Sequence, residues 1–311
     1  MKWMDKRIGL ALGGGGARGL AHIGVLKVLE EEAVPVDIIV GTSAGALIGG
    51  AYAAGLSPGA LMVRADEYLN SSEFQSSTIK AIEDLHSKDD TGLAHKIQTY
   101  VMNRFYLAQA MFKPGILSSE EFQTMIDYFI PDITVEDTMI PFRAVATDLV
   151  AGTQVVFSSG SLRQAVMASC AVPGAIEPLQ DGLRCLADGG IICLVPSSEA
   201  RKAGADIVVA VAVDRDICTE AEFHTCREVC DRAMEIMSNQ LENYELQEAD
   251  IVIRPDVGDL HWSDFSHARD LITQGETAAR DHIDAIRNTM PVIKRWFTLK
   301  QLARNHHEKT P

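Results

Sequence analysis

One serine of this chain stands in a sequence that favours nucleophilic chemistry. Ser43 is the centre of a Gly-x-Ser-x-Gly pattern at 41–45, with β-branched residues before it and small residues from 44 to 54 after it. A nucleophilic serine needs a sharp, strained turn from strand to helix. Gly41 and Gly45 lack side chains, so the strand and the helix can approach closely. The pattern therefore predicts a nucleophile elbow with the Ser43 hydroxyl exposed.

A glycine-rich loop lies upstream of the elbow, between a strand predicted at 7–12 and a helix predicted at 17–32. The backbone N–H groups of such a loop can approach a negative charge. In an oxyanion hole, Gly14, Gly15 and Gly16 would supply these donors, and Arg18 would help to fix the loop. A glycine turn that only packs a helix on a sheet is the alternative.

Two nucleotide-binding interpretations of this loop have less support. A Walker phosphate loop requires Lys-Ser/Thr after the last glycine, and Leu20-Ala21 stand there instead. The dinucleotide pattern Gly-x-Gly-x-x-Gly matches residues 14–19, but it needs an acidic residue at the end of the second strand. Asp37 opens that strand and does not close it, so the sequence disfavours a dinucleotide site.

An aspartate followed by two glycines is the third feature. Asp188 precedes Gly189 and Gly190 at the end of a short strand predicted at 184–187. Alone, the pattern indicates a tight turn. Because it lies downstream of both the glycine loop and the serine, Asp188 becomes a candidate general base.

The order of these three motifs resembles the patatin-like phospholipases, whose elements are Gly-Gly-Gly-x-Arg-Gly, Gly-x-Ser-x-Gly and Asp-Gly-Gly/Ala. The resemblance covers roughly residues 6–290 and is strongest to the short, single-domain bacterial members. Further matching segments are 142–149, 168–174 and Asp264-Phe265-Ser266 before a helix with Gly275. Bacterial members often carry Asn-Pro-x-Pro after Asp-Gly-Gly, whereas this chain has Cys193-Leu194-Val195-Pro196, which leaves open how the turn is braced.

The resemblance implies a serine hydrolase that cleaves carboxylic esters of lipids, as a lipid esterase, phospholipase A-like enzyme or lysophospholipase, without a metal or cofactor. Ser43 would be the nucleophile and Asp188 the base, supported by Gly41, Gly45, Gly189 and Gly190. An ordinary aspartate, with a pKa of about 3.9, is a poor base for a hydroxyl, so the site must bury Asp188. The mechanistic alternative is a triad that uses a histidine, for which the candidates are His224, His261 and His267.

Two other functions remain open. The chain could be a catalytically inactive regulatory or binding protein on the same fold, or, with less support, a dinucleotide-binding protein. Retention of both Ser43 and Asp188 favours the enzyme, because a degraded site usually loses one of them.

Composition narrows the partners and the location. A net charge of −15 over 311 residues argues against nucleic-acid binding and broad docking on anionic lipid. The first six residues are too short and charged for a secretory signal, and 44–56 is too short and glycine-rich to span a bilayer. We expect a cytoplasmic protein with reduced thiols and only transient, peripheral contact with membranes or micelles.

Cys226 and Cys230 are expected to be buried thiols on a helix face, with a metal site near Cys218 and His224 as the weaker alternative.

Alternating apolar segments predict an α/β fold, with three layers (α/β/α) around a mainly parallel sheet. One catalytic domain is expected at 6–297, followed by a polar, disordered tail at 298–311. Besides those given above, strands are predicted at 37–41, 142–148, 153–158, 206–213 and 250–254. Helices are predicted at 44–55, 119–129, 161–169, 197–204, 222–246 and 267–296.

Residues 57–130 interrupt this alternation and are predicted to be a helical insertion. Within it, 105–112 is apolar and aromatic. It is interpreted as a lid or acyl-chain wall over Ser43, or equally as a helix packed into the core. Met102, Met111 and Met125 would add flexible apolar surface suited to varied acyl chains.

Overall fold

The computed structural model of the protein describes residues 6–86, 114–217, 219 and 222–290. The predicted tail at 298–311, the apolar segment 105–112, Met102 and Cys218 lie outside the described residues. The end of the helix predicted at 267–296 lies outside them as well.

An eight-stranded sheet forms the centre of the described part of the chain. Its order is β10-β9-β1-β2-β4-β8-β7, and β5 pairs with β4 off this path. From β10 to β4 the strands are parallel, whereas β5, β7 and β8 join by antiparallel pairing. The strands of this sheet are β1 (Ile8–Leu12), β2 (Ile38–Thr42), β4 (Phe142–Asp148), β5 (Thr153–Phe157), β7 (Leu179–Asp181), β8 (Arg184–Asp188), β9 (Ile207–Val211) and β10 (Ile251–Ile253).

Helices cover both faces of the sheet, which confirms the predicted α/β/α layers. A 3-10 turn over Gly16–Leu20 leads into α1 (Ala21–Glu31), which packs with α2 (Ala44–Ala53) and α10 (Ala268–Thr289) on one face. On the other face, α8 (Ser197–Lys202) packs against β1, β2 and β9. The remaining helices are α3 (Pro58–Asn70), α4 (Ser72–Gln75), α5 (Thr78–His86), α6 (Ser119–Phe129), α7 (Leu162–Ser169) and α9 (Cys226–Glu245).

The core explains why the central strands read as continuous apolar runs. All residues of β1, β2 and β9 are buried, because helices cover both of their faces. The helix predicted at 119–129 has those bounds in the structure. Ser118 and Glu121 form a capping box at its start, with each side chain bonded to the backbone of the other residue.

The differences from the predicted elements concern ends and very short strands. The helix predicted from 222 begins at Cys226, and the one predicted from 17 begins as a 3-10 turn before α1. Three strands of three residues were not predicted, namely β3 (Gly115–Leu117), β6 (Gly174–Ile176) and β7. β3 and β6 pair in parallel as a separate two-stranded sheet, so the interval 57–130 is not purely helical.

Candidate active site

The Ser43 elbow has the strained backbone that such a turn requires. Ser43 has φ 54° and ψ −125°, a combination rarely adopted by a residue with a side chain. The strand and the helix approach so closely that a Cβ on Gly41 would lie 2.5 Å from the Gly45 carbonyl oxygen. A Cβ on Gly45 would lie 2.1 Å from the Leu12 carbonyl oxygen. Both positions therefore require glycine, and they fix α2 directly behind Ser43.

Strand β4 organises the site because two strands share one of its edges. β5 occupies one edge of β4 over 144–148. The opposite edge is divided between β2, which pairs over 142–145, and β8, which pairs over 146–148. Since β2 runs parallel to β4 and β8 antiparallel to it, the carboxyl ends of β2 and β8 meet head to head.

This register brings the candidate nucleophile and base together. Thr42 lies opposite Val145, and Asp188 lies opposite the next residue, Ala146. Ser43 directly follows Thr42, so the two strand ends place it beside Asp188. Each residue is 6% exposed. Although 145 positions apart in the chain, they become neighbours by sheet register alone.

Burial changes the proton affinity of the Asp188 carboxyl. It raises the pKa of Asp188 from 3.8 to about 6, although the Ser43 side chain and the Gly190 N–H both lower it. Oδ1 accepts a hydrogen bond from the Gly190 N–H at 2.7 Å. Among the described residues, buried Oδ2 has no hydrogen bond of ordinary geometry. The Ser43 side chain is thus near enough to lower the pKa of Asp188, while Oδ2 has a lone pair available for a proton.

The glycine loop lies against the elbow. A Cβ on Gly14 would lie 3.3 Å from the Cβ of Ser43. The Gly14 N–H is already engaged, because it donates to the Leu194 carbonyl at 3.0 Å. Within the described part of the chain, the N–H groups of Gly15 and Gly16 donate to no protein acceptor. Of the three predicted oxyanion donors, Gly14 therefore has its N–H occupied, and Gly15 and Gly16 do not.

Arg18 and His22 hold this loop from inside the fold. Arg18 Nε donates to the Gly15 carbonyl at 3.1 Å, and its guanidinium pairs with Asp214 at 2.7 Å. His22 Nε2 donates to the Gly13 carbonyl at 2.8 Å. Burial lowers the pKa of His22 to about 4, so this fully buried ring is neutral. The role of His22 was missed because a histidine within an apolar helix carries no signal of its partner.

The segment after Asp-Gly-Gly is braced by a buried glutamate. Glu245 Oε2 accepts the Val195 N–H at 2.7 Å, and the Leu194 carbonyl in turn accepts the Gly14 N–H. Burial raises the pKa of Glu245 to about 7. Glu245 therefore connects α9 to the glycine loop through residues 193–196. The Glu245 contact therefore holds the segment Cys193-Leu194-Val195-Pro196, which stands where the family often has Asn-Pro-x-Pro.

An apolar cavity of about 130 Å³ lies beside Ser43. The elbow contributes Ser43, Ala44, Leu47 and Ile48, and the glycine loop contributes Gly16. No acidic or basic side chain from the described ranges lines it. The 57–130 insertion supplies much of the wall, through Ala65, Tyr68, Leu69, Phe74, Ile79, Leu117, Phe122, Met125 and Phe129.

The three histidines proposed for a triad have other contacts. His224 pairs with Glu222 at 3.7 Å, and His267 pairs with Asp270 at 3.5 Å. His261 Nδ1 lies 2.7 Å from the Ser263 hydroxyl oxygen. None of the three is among the groups that shift the pKa of Asp188.

Three other side chains singled out in the sequence lie away from the predicted chemistry. Asp37 accepts the Ile8 N–H at 2.7 Å, at the amino end of β1, so it is at the wrong end of the sheet to bind a ribose beside the loop. The prediction that Cys226 and Cys230 are buried was wrong. Both are exposed, because α9 packs only a narrow stripe against the fold. The described residues contain no group of three or more His, Cys, Asp or Glu placed to hold a metal.

Together, the elbow and the Asp-Gly-Gly turn define an α/β protein with a buried serine and aspartate side by side at the centre of its sheet. A sequence profile of the patatin-like phospholipases matches residues 10–200. The chain belongs to the patatin-like phospholipase family.

Relatives of this chain are longer proteins. An NTE-family protein of Mycobacterium tuberculosis is 36% identical over 208 residues, which cover 67% of this chain and 49% of that protein. Patatin-like phospholipase domain-containing protein 6 of Homo sapiens is 37% identical over 209 residues, which cover 66% of this chain and 13% of that protein. The matched region is thus less than half of either relative.

Two solved structures are similar over most of this chain. VipD from Legionella pneumophila matches with a TM-score of 0.46 and 16% identity, covering 89% of this chain and 67% of that one. ExoU, in its complex with SpcU from Pseudomonas aeruginosa, matches with a TM-score of 0.40 and 17% identity, covering 91% and 52%. Separately, none of the helices in the described ranges combines the length and apolar character needed to cross a bilayer.

Proposed function

We propose that this chain is a serine hydrolase that cleaves carboxylic esters of lipids through an acyl-enzyme on Ser43. One observation carries the proposal: the strand register sets a strained, buried serine beside a buried aspartate whose pKa is about 6. A base with a pKa near the working pH combines a large ionised fraction with useful proton affinity. Membership of the patatin-like phospholipase family, and similarity to the human patatin-like phospholipase domain-containing protein 6, support this chemistry.

The proposed reaction has two halves. Asp188 Oδ2 accepts the proton of the Ser43 hydroxyl while Oγ attacks the ester carbonyl carbon. The oxygen of the tetrahedral intermediate accepts hydrogen bonds from the N–H groups of Gly15 and Gly16. Each of these bonds stabilises the transition state by about 3 kcal/mol. Collapse expels the alcohol, which takes the proton from Asp188. Water then attacks the acyl-enzyme by the same route and releases the fatty acid.

The cavity supports an acyl chain as the group bound beside Ser43. Its described lining carries no charged side chain, so it suits a hydrocarbon tail better than a phosphate or choline head group. In this proposal, the described part of the insertion forms the wall of the acyl-chain cavity. A further hypothesis is that residues 57–130 act as a lid that opens on contact with a membrane or micelle. The acidic net charge of −15 favours transient contact with neutral or micellar lipid over stable docking on anionic bilayers.

Hydrolysis of a short p-nitrophenyl ester by the wild-type protein and by Ser43→Ala tests this proposal. We expect the variant to remain folded and to lose hydrolysis by a factor of about 10⁴ or more. Asp206→Asn, a change remote from the cavity at the amino end of β9, serves as a variant that should keep wild-type activity. Hydrolysis by Ser43→Ala within tenfold of the wild type would exclude Ser43 as the nucleophile.

A further inference from the structure

Three consecutive residues at the end of α7 each hold a backbone group of Ser43 or Asp188. The Ser43 N–H donates to Ser169 Oγ at 2.9 Å, and the Cys170 thiol donates to the Ser43 carbonyl at 3.0 Å. The Asp188 N–H donates to the Ala171 carbonyl at 2.9 Å. This segment therefore contacts both members of the proposed dyad through their main chains, without touching the atoms that would react.

Ser169 is also fixed to the strand that aligns the two residues. Its hydroxyl donates to the Val145 carbonyl at 2.6 Å, and Val145 is the β4 residue opposite Thr42. The hydroxyl has only one proton, so donation to Val145 leaves its lone pairs for the Ser43 N–H. Ser169 is completely buried, and no water competes for these bonds. Ser169 thus links the elbow to β4 at the position where pairing with β2 ends and pairing with β8 begins.

The elbow needs such a fixed contact because its own backbone is strained. A non-glycine residue at φ 54° persists only where the surroundings hold it there. The Ser43 N–H donates to Ser169 Oγ, whereas its carbonyl accepts the Cys170 thiol as well as the N–H groups of Ala46 and Leu47 at the start of α2. Loss of the Ser169 contact would leave the Ser43 N–H without its acceptor, let the elbow relax and change the distance from Ser43 Oγ to Asp188.

We propose that Ser169 is a positioning residue, which holds the strained Ser43 elbow at its working distance from Asp188, with the Cys170 thiol as a second contact. This inference rests on the proposed function, because it concerns the geometry of the same two residues. It assigns no chemical step to Ser169. Its effect is expected in the rate of acylation and not in substrate affinity.

Ser169→Ala, assayed beside Ser197→Ala, tests the inference. Ser197 is a matched control, since it is also completely buried but its hydroxyl has no hydrogen-bond partner in the described part of the chain. We expect Ser169→Ala to lower kcat for a soluble ester by about 10- to 100-fold, because small displacements of a reacting group cost this much. KM should stay within about twofold, since Ser169 does not line the cavity. Ser197→Ala should keep the wild-type kcat.

A second readout separates positioning from a general loss of folded protein. The rate of covalent labelling by a fluorophosphonate should fall with kcat in Ser169→Ala, while the final labelled fraction stays complete. A folded Ser169→Ala variant with kcat within twofold of the wild type would overturn the inference. So would a loss that lies wholly in KM or wholly in the labelled fraction.

If Ser169→Ala does not fold, Cys170→Ser and Cys170→Ala are compared with each other at saturating substrate, because Cys170 also lines the cavity. Serine keeps a donor for the Ser43 carbonyl and alanine removes it, so kcat should be about 3- to 10-fold higher in Cys170→Ser. Equal kcat values in the two variants would overturn the inference.

Wild-type protein and Ser43→Ala in the same assay keep the two proposals distinguishable. If only Ser43→Ala is inactive and the Ser169 and Cys170 variants are unaffected, the proposed function stands and the positioning role fails. An inactive wild-type protein would overturn both.

Discussion

Replacing Asp188 with asparagine should change how the stability of the fold depends on pH. A rise in the pKa of Asp188 from 3.8 to about 6 corresponds to a cost of about 3 kcal/mol for the buried carboxylate. For a carboxyl whose pKa is raised by folding, stability is complete below the unfolded-state pKa, near 4. It is lost as the pH rises through about 6. Asparagine does not ionise, so Asp188→Asn escapes this loss and can keep the bond from the Gly190 N–H.

The quantity to measure is the free energy of unfolding of Asp188→Asn minus that of the wild type, from urea denaturation at pH 4 and pH 8. This difference should rise by about 2.4 kcal/mol between the two pH values, since about 0.6 kcal/mol of the effect is already present at pH 4. Any unsatisfied hydrogen bond of the buried amide costs the same at both pH values, so it cancels from the comparison. The same variant should lose hydrolysis by a factor of about 10³–10⁵.

Asp181→Asn is the matched control, because the Asp181 side chain is 57% exposed. The free energy of unfolding of Asp181→Asn minus that of the wild type should change by less than about 0.5 kcal/mol between pH 4 and pH 8. A difference for Asp188→Asn that stays flat, or falls towards pH 8, would refute the reasoning. It would mean that the site does not disfavour the charge, and the physical basis for Asp188 as the base would be gone.

Three further predictions follow from the same geometry. Below pH 6, kcat/KM for a soluble ester should fall about tenfold per pH unit as Asp188 takes up a proton; a midpoint near 4 would contradict its burial. His224→Ala, His261→Ala and His267→Ala should each keep kcat within about threefold, and a loss equal to that of Asp188→Asn would indicate a triad. Ala65→Leu fills part of the cavity wall. It should lower kcat/KM for an octanoyl ester about tenfold more than for an acetyl ester, and equal losses would place the acyl chain elsewhere.

The parts of the site that depend on local sequence could be predicted. The strand–serine–helix elbow is encoded by consecutive residues, and β2 and α2 lie within about two residues of their predicted ends. β4 (Phe142–Asp148) was predicted at its observed bounds. The three-residue strands β3, β6 and β7 could not be predicted, since so short a segment has no measurable periodicity.

The contacts that complete the site are long-range, and no local pattern encodes them. Ser169 meets Ser43 across 126 residues, and Glu245 meets Val195 across 50. Both are polar residues within otherwise ordinary helices. The engagement of the Gly14 N–H by Leu194 is likewise invisible in the sequence, because all the glycines of the loop look equivalent there. The meeting of β2 and β8 on one edge of β4 follows only from strand register, which motif order does not supply.

Covalent labelling with a fluorophosphonate, followed by mass spectrometry of the digested protein, tests the central claim most directly. The probe phosphonylates an activated serine, so one adduct per chain is expected on Ser43. Labelling should follow the ionisation of Asp188 with pH and be slowed about 10³-fold or more in Asp188→Asn. An adduct on another residue, or an unlabelled Ser43 in protein that still hydrolyses esters, would contradict the account.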